Sequence, residues 1–409
     1  MQISRPYSDT NRVNNPFLKN LLPAPDRDKG VFFILMSQFG LAFSFNVVMS
    51  FMPFYIIKIS THTSHDTMIW IGMIMGLNSF IAAATAPFWG SLTSQIRPKI
   101  LFELAFLANG IIFLLMGFTD SLPILLALRL IQGALGGAST VGLFMISQLS
   151  SNNRLAANLS LYQNSMTAGS LLGPPVGAYL AAHLGYRSPF IVSVVMIGIF
   201  LSLCHIYVAE IHKKETIRDR NISLNQGVLW GWTLSFIATI HLIFLPSILP
   251  HVLGEFGLAG EKALKAAGFI MMSYTATAII GSYVISRWTP RTKLTGVIAV
   301  ACLAASFFQA LLFLSQGVFS FAVIRMLQTG AVAAVIPLVM ANFGSKMGGT
   351  GIGFLNSARF AGMGVAPLMA TFVVAGSNLL TLYLVIAAAT AGSVLAFWTA
   401  TRKTPHDAS

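Results

Sequence analysis

The sequence predicts an all-α membrane protein with the major features of about 12 transmembrane helices in two pseudo-symmetric six-helix bundles. Three observations predict it. Apolar residues fill 55% of the 409 positions and charged residues only 9%, whereas a soluble domain carries about 25% charged residues. The apolar residues fall into runs of about 20, the length that crosses a bilayer. Landmarks in the first six runs recur in the last six at a near-constant offset.

Residues 1–29 are polar and charged, unlike a cleavable signal peptide, and read as a cytoplasmic tail. Residues 30–209 form the N-terminal bundle, with apolar runs at 31–57, 68–93, 100–118, 122–148, 159–183 and 187–209. The segment 210–226 (EIHKKETIRDRNISLNQ, counting from Glu210) is the only long charged interruption and reads as a cytoplasmic linker. Residues 227–400 form the C-terminal bundle, with runs at 227–250, 266–286, 294–315, 318–342, 349–374 and 378–400. Residues 401–409 are a cytoplasmic tail.

The net charge of +13 would suit a nucleic-acid binder, but no basic stripe sits on a soluble module. Its placement suits a membrane protein instead. With a cytoplasmic N-terminus, 18 of the 25 lysines and arginines fall on the cytoplasmic side, 4 on the other, and 3 inside helices. That bias orients both termini to the cytoplasm and requires an even number of spans. The two cysteines, Cys204 and Cys302, lie in apolar runs of different halves and read as small buried hydrophobes.

The halves repeat. Gly90 pairs with Gly281, Arg129 and Gln132 with Arg325 and Gln328, Asn164 with Asn356, and Pro174 with Pro367. The offsets are 191, 196, 192 and 193. Two six-helix repeats with a midplane site between them are a transporter architecture.

Three stretches carry a resemblance to a known family. Leu128–Ala138 reads LRLIQGALGGA, Gly169–Gly177 reads GSLLGPPVG, and Ala86–Gly90 reads APFWG. Over essentially its whole length the chain resembles the major facilitator superfamily, and within it the twelve-helix drug:proton antiporter branch of bacterial multidrug exporters. The resemblance implies alternating access, a multi-pass inner-membrane location and protons as the coupling ion. It makes Gly169, Gly173, Pro174 and Gly177 an antiporter motif whose bend seals one side of a central cavity. It makes Gly90, Arg97 and Lys99 part of a gating loop. In that loop Ser94 stands where the family carries an aspartate.

The residues also have readings of their own. Gly169 and Gly173 are four apart, so they share a helix face and allow close packing. Pro174 removes a backbone donor and bends the helix. An arginine at mid-bilayer costs about 2.5–3.5 kcal/mol on insertion scales. Arg129 and Arg325 therefore either snorkel or line a wet cavity, and Arg359, roughly ten residues from either edge of its run, is assigned to the cavity wall. Asn46, Gln132, Tyr162, Asn164, Gln328 and Asn356 complete the expected binding surface, with helix-to-helix hydrogen bonding as their alternative.

Glu103 is the one acidic residue plainly within a helix. It is either an ion partner for Arg97 and Lys99 or a protonation site. His241, near the middle of its helix, is either a coupling group or a structural histidine. There is no GxxxxGK[ST] loop and no HExxH or other metal spacing. These absences predict no enzyme, no cofactor and no metal, and leave an ion gradient or the substrate's own gradient as the energy source. The expected function is a monomeric secondary transporter, with export of amphipathic compounds leading. The alternatives are transport of an anionic metabolite or carboxylate siderophore, and a non-transporting membrane receptor.

Overall fold

The computed structural model describes residues 25–93, 95–150, 154–210, 226–343 and 349–402. The expected tails and linker therefore lie almost wholly outside the described residues, as does Ser94. The first half holds α1 (Pro25–Ile59), α2 (Ser64–Leu92), α3 (Pro98–Phe118), α4 (Leu122–Ala134), α5 (Ala138–Leu149), α6 (Leu155–Leu184) and α7 (Ser188–Tyr207). The second holds α8 (Gln226–Ile243), α9 (Leu245–Glu255), α10 (Gly260–Trp288), α11 (Leu294–Leu311), α12 (Val318–Val332), α13 (Val335–Phe343), α14 (Gly349–Gly376) and α15 (Leu379–Arg402). No strand occurs among the described residues.

Three spans are broken helices: α4 with α5, α8 with α9, and α12 with α13. Length and composition make 10 segments able to cross a membrane, and the α8–α9 pair, bent by 41°, adds an eleventh. The twelfth is α6, whose 30 residues include Asn158, Gln163, Asn164 and several serines and glycines. Its polarity is turned inward, because α6 packs along α1 and along α10.

Two of the breaks have a cause that re-satisfies the backbone. Gly136 and Gly137 interrupt α4–α5, and a side chain at Gly137 would collide with the Trp89 ring. Trp89 Nε1 donates to Ala134 O at 2.8 Å, taking a carbonyl released there. At the α8–α9 bend Pro246 has no N–H for the carbonyl four residues back, Leu242 O. That carbonyl accepts from Arg325 instead, at 3.3 Å.

Within the first half α1 packs on α6 and α7, α2 on α4, and α3 on α7. Within the second α8 packs on α14, α10 on α12, and α11 on α15. The halves meet through α2 on α14 and α6 on α10, two contacts that exchange under the repeat. The outermost helices expose large apolar side chains as a lipid surface must. Leu104, Leu107, Ile111 and Leu114 do so on α3, Ile191 and Val195 on α7, Val300 and Phe307 on α11, and Leu384 and Leu395 on α15.

Candidate transport site between the halves

The halves touch at the end remote from the termini. A Cβ at Gly72 of α2 would strike Thr371 of α14, and one at Gly76 would fall 2.5 Å from Gly364 O. Across the other seam, a Cβ at Gly268 of α10 would fall 2.6 Å from Ala178 Cβ and 3.3 Å from Pro174 O on α6. Backbones approach this closely only where side chains are absent. Beside that seam His183 Nε2 of α6 lies 3.8 Å from Glu261 Oε1 of α10.

The two readings of the glycine–proline motif divide by residue. Gly169, Gly173 and Gly177 seat α1 within the same half: Cβ atoms there would meet Phe39 O at 2.6 Å, Asn46 Cβ at 2.7 Å and Val47 O. Pro174 instead looks across the halves toward Gly268.

Helical spacing then identifies the central faces. On α6, exposed Leu161, Leu172 and Tyr179 mark the lipid side, and Gln163, Thr167 and Ser170 lie opposite. On α14, exposed Phe372 marks the lipid side, and Met363 and Arg359 lie on the far side. Gln163 is exposed, while Thr167, Ser170, Arg359 and Met363 are half-buried. Further along the same stripes, Ala181 on α6 and Val374 on α14 are buried. Among the described residues, the stripes are thus less buried toward the terminal end than at the other. Asn46 Nδ2 donates to Ser170 Oγ at 3.0 Å and to Ala42 O at 2.8 Å, placing it at the α1–α6 seam. Asn164 is exposed on the α10 side of α6. Asn356 is one turn from Arg359, with its side chain outside the described residues. Gly90 lies in the last turn of α2.

Five expected cavity residues are placed elsewhere. Arg129, Gln132, Tyr162, Arg325 and Gln328 are each 2% exposed or less, sealed inside their own halves. Arg129 neither snorkels nor meets a cavity. Its Nε donates to Ile74 O at 3.0 Å, its Nη1 to Gln132 Oε1 at 2.5 Å, and its Nη2 reaches Met49 Sδ at 3.2 Å. Phe45 covers its face at 5.3 Å. Gln132 Nε2 in turn donates to Asn109 Oδ1 at 3.2 Å. The second half repeats the motif: Arg325 donates to Gln328, which donates to Gln309. The rings of Phe244 and Tyr274 flank Arg325, each at 4.8 Å. The physical reason is that carbonyls, amide oxygens and ring faces supply most of what a buried guanidinium needs without a carboxylate, although Arg325 Nε has no hydrogen-bond partner. Tyr162 donates to Gln38 Oε1 at 2.7 Å and so ties α6 to α1.

Glu103 faces outward, not into the space between the halves. It lines a groove of about 480 Å³ on the outer face of α3 and α7, with Leu104, Leu107, Leu201 and His205. His205 Nδ1 lies 3.2 Å from Glu103 Oε1, and Lys99 Nζ lies 3.9 Å from it. Lys99 Nζ also donates to His205 O at 2.8 Å, and Arg97 Nη1 to Glu210 Oε1 at 2.5 Å. Of the two cations expected beside Glu103, Lys99 is there, while Arg97 pairs with Glu210 and His205 stands in its place. His241 is fully buried in the second half, between Gln328 at 2.6 Å and Thr390 at 2.8 Å.

Sequence reasoning missed Asn109 and Gln309, which complete the two buried networks. Their signal was available, since they are intramembrane amides 200 apart on corresponding helices. Gln163, Thr167 and Ser170 were missed because only the lipid side of α6, visible in the structure, tells which face is central.

The chain is similar to known transporters. The family model described as Major Facilitator Superfamily matches residues 34–367. A relative from Escherichia fergusonii, "Multidrug resistance protein MdtG", is 26% identical over 382 residues, covering 88% of this chain and 91% of the relative. The protein of the same name from Salmonella typhimurium is 25% identical over 375 residues, covering 88% and 92%. In fold the chain is similar to the human organic anion transporter MFSD10 (TETRAN), with a TM-score of 0.68 and 14% identity over 91% of this chain and 100% of that one. It is likewise similar to a D-xylose-proton symporter, with a TM-score of 0.71 and 12% identity over 90% and 97%.

Proposed function

Since the chain belongs to the Major Facilitator Superfamily, and is therefore a multi-pass inner-membrane transporter rather than an enzyme, we propose that it exports amphipathic small molecules by proton-driven alternating access. The observation that carries this reading is the pair of repeat-related seams, α2–α14 and α6–α10, closed at one end of the molecule, with the described residues of the central stripes less buried toward the other. The relatives named for multidrug resistance support export of amphipathic compounds.

We take the moving bodies to be residues 30–209 and 227–400, joined by the linker at 210–226, in a monomer. The basic bias of the loops supports cytoplasmic termini, so the sealed end is the periplasmic one and this conformation receives cargo from the cytoplasm. Export requires the two glycine seams to part while the contacts inside each half persist. The buried Arg129 and Arg325 networks suit that division, because each ties together helices of one half only. Asn46, Asn164, Asn356 and Arg359 are the sequence-expected cavity residues that remain as candidates to meet cargo, joined by Gln163, Thr167 and Ser170.

His241 is the better-placed coupling group. Its protonation would add a charge beside Arg325 and an N–H where Gln328 already donates. The test is flux in proteoliposomes under an imposed pH gradient, with wild type and His241→Ala compared. The expected result is substrate export driven by the gradient in wild type and uncoupled in His241→Ala. Flux that ignores the gradient in wild type would remove proton coupling, and full driven flux in the variant would remove His241.

A further inference from the structure

The groove of about 480 Å³ between α3 and α7 takes no part in the seams between the halves, and it opens sideways, toward the bilayer. Its walls change character along its length. Glu103, Ser202 and His205 line it near the terminal end, and Leu104, Leu107 and Leu201 line it deeper in. Glu103 lies about 7.5 Å along α3 from Pro98, close to the thickness of one headgroup region, about 5–7.5 Å. The polar groups thus sit where headgroups meet hydrocarbon, and the leucines where acyl chains run. A groove facing hydrocarbon draws its occupant from the membrane itself.

The polar end has hydrogen-bonding capacity to spare in both senses. The two Glu103 oxygens lie 3.2 and 3.3 Å from one nitrogen, His205 Nδ1, and can accept at most one N–H from it. Lys99 Nζ, at 3.9 Å, is beyond hydrogen-bond reach of Glu103 and spends one of its three N–H groups on His205 O. Among the described residues these three side chains have no further polar partner. A carboxylate with acceptor sites left beside an ammonium with donors left matches a headgroup that carries both a donor cation and a phosphate.

We propose that this groove binds one phospholipid with a primary-ammonium headgroup, the ammonium on Glu103, the phosphate at Lys99 and His205, and an acyl chain along Leu104, Leu107 and Leu201. A quaternary ammonium carries the same charge but no N–H to give Glu103, so the site distinguishes ethanolamine from choline headgroups by hydrogen bonding alone. The site lies outside the cargo path and is independent of what the protein carries or what drives it.

The test counts retained lipid by native mass spectrometry of the purified full chain in detergent. The probes are dioleoyl phosphatidylethanolamine, its N,N-dimethyl form and dioleoyl phosphatidylcholine, which share one phosphate and one charge and lose N–H donors in that order. Wild type should retain one molecule, with occupancy falling along the series and ethanolamine favoured over choline by about fivefold. Glu103→Gln should bring the three probes to equal occupancy, and Lys99→Gln should lower all three. Leu107→Trp fills the apolar part of the groove and should lower ethanolamine-lipid occupancy with every charge in place, which keeps the test decisive where Glu103→Gln fails to fold. No retained lipid, equal retention of the three probes by wild type, a preference that survives Glu103→Gln, or occupancy untouched by Leu107→Trp would each overturn the assignment.

Discussion

Arg325 fixes the protonation pattern of His241 through a single intermediary, Gln328. Arginine can only donate, so the Gln328 oxygen must face it. The Gln328 amide nitrogen then points at His241 Nδ1, 2.6 Å away, and that nitrogen must accept. The remaining ring N–H donates to Thr390 Oγ1 at 2.8 Å, and the threonine hydroxyl passes its hydrogen to Ile386 O at 2.7 Å. The imidazole is therefore neutral here, and its tautomer is set from α12 through α8 to α15. In the first half the Arg129 network reaches Met49, at the position corresponding to His241, and Asn109, and includes no histidine among the described residues.

The networks should matter for folding more than for cargo. Arg129→Met and Arg325→Met each leave buried amide and carbonyl acceptors without donors, at about 2–3 kcal/mol per site. Arg→Lys should not rescue either, because an ammonium cannot span an amide oxygen, a carbonyl and the flanking ring faces together. Thermal unfolding in detergent should show both variants losing more stability than Arg359→Gln, whose side chain is half-buried on an open stripe. Equal losses in all three would mean that the sealed and open arginines do not differ in role.

Glu103→Gln should leave gradient-driven flux intact. The carboxylate sits on the lipid side of α3 with Lys99 and His205, and no seam between the halves passes near it. Its ion pairs are partly exposed, where such pairs contribute about 0–1 kcal/mol. Measured flux and melting temperature should both stay near wild type. A collapse of pH-driven flux would return Glu103 to the coupling pathway.

The helices were legible in the sequence, and so was the repeat, because hydropathy and landmark spacing are properties of the chain alone. The facing of individual side chains was not. Arg129 and Arg359 look alike in sequence, each a lone arginine in an apolar run. What separates them is the neighbour: α4 turns Arg129 toward Ile74 O and Met49, while α14 turns Arg359 away from Phe372 and the lipid. Glu103 illustrates the same limit. The sequence leaves Glu103 open between an ion partner and a proton site, and only the structure brings His205 of α7 against it.

Two glycines on different seams should respond differently to the same change. Gly177→Val drives a side chain into Val47 O inside the first half, and such overpacking costs about 1–3 kcal/mol. Gly76→Val drives one into Gly364 O across the halves, where the strain is relieved by separating them. Gly177→Val should lower the melting temperature. Gly76→Val should keep it and raise maleimide labelling of a reporter cysteine at Thr371→Cys. Unchanged labelling would mean that α2 and α14 do not part.

The α6–α10 seam provides a direct lock. A Cβ at Gly268 comes within 2.6 Å of Ala178 Cβ, somewhat inside the mean Cβ separation of about 3.8 Å in a disulfide. A small displacement therefore accommodates the bond. Both native cysteines are buried, and Cys204→Ala with Cys302→Ala gives a clean background. In that background Gly268→Cys with Ala178→Cys should form the disulfide on oxidation and stop counterflow, with reductant restoring it. Because the bond closes the end remote from the termini, cargo binding from the terminal end should survive the lock. Oxidised protein that still exchanges cargo at the wild-type rate would show that transport proceeds without parting α6 from α10, and rigid-body alternation of the halves would fail with it.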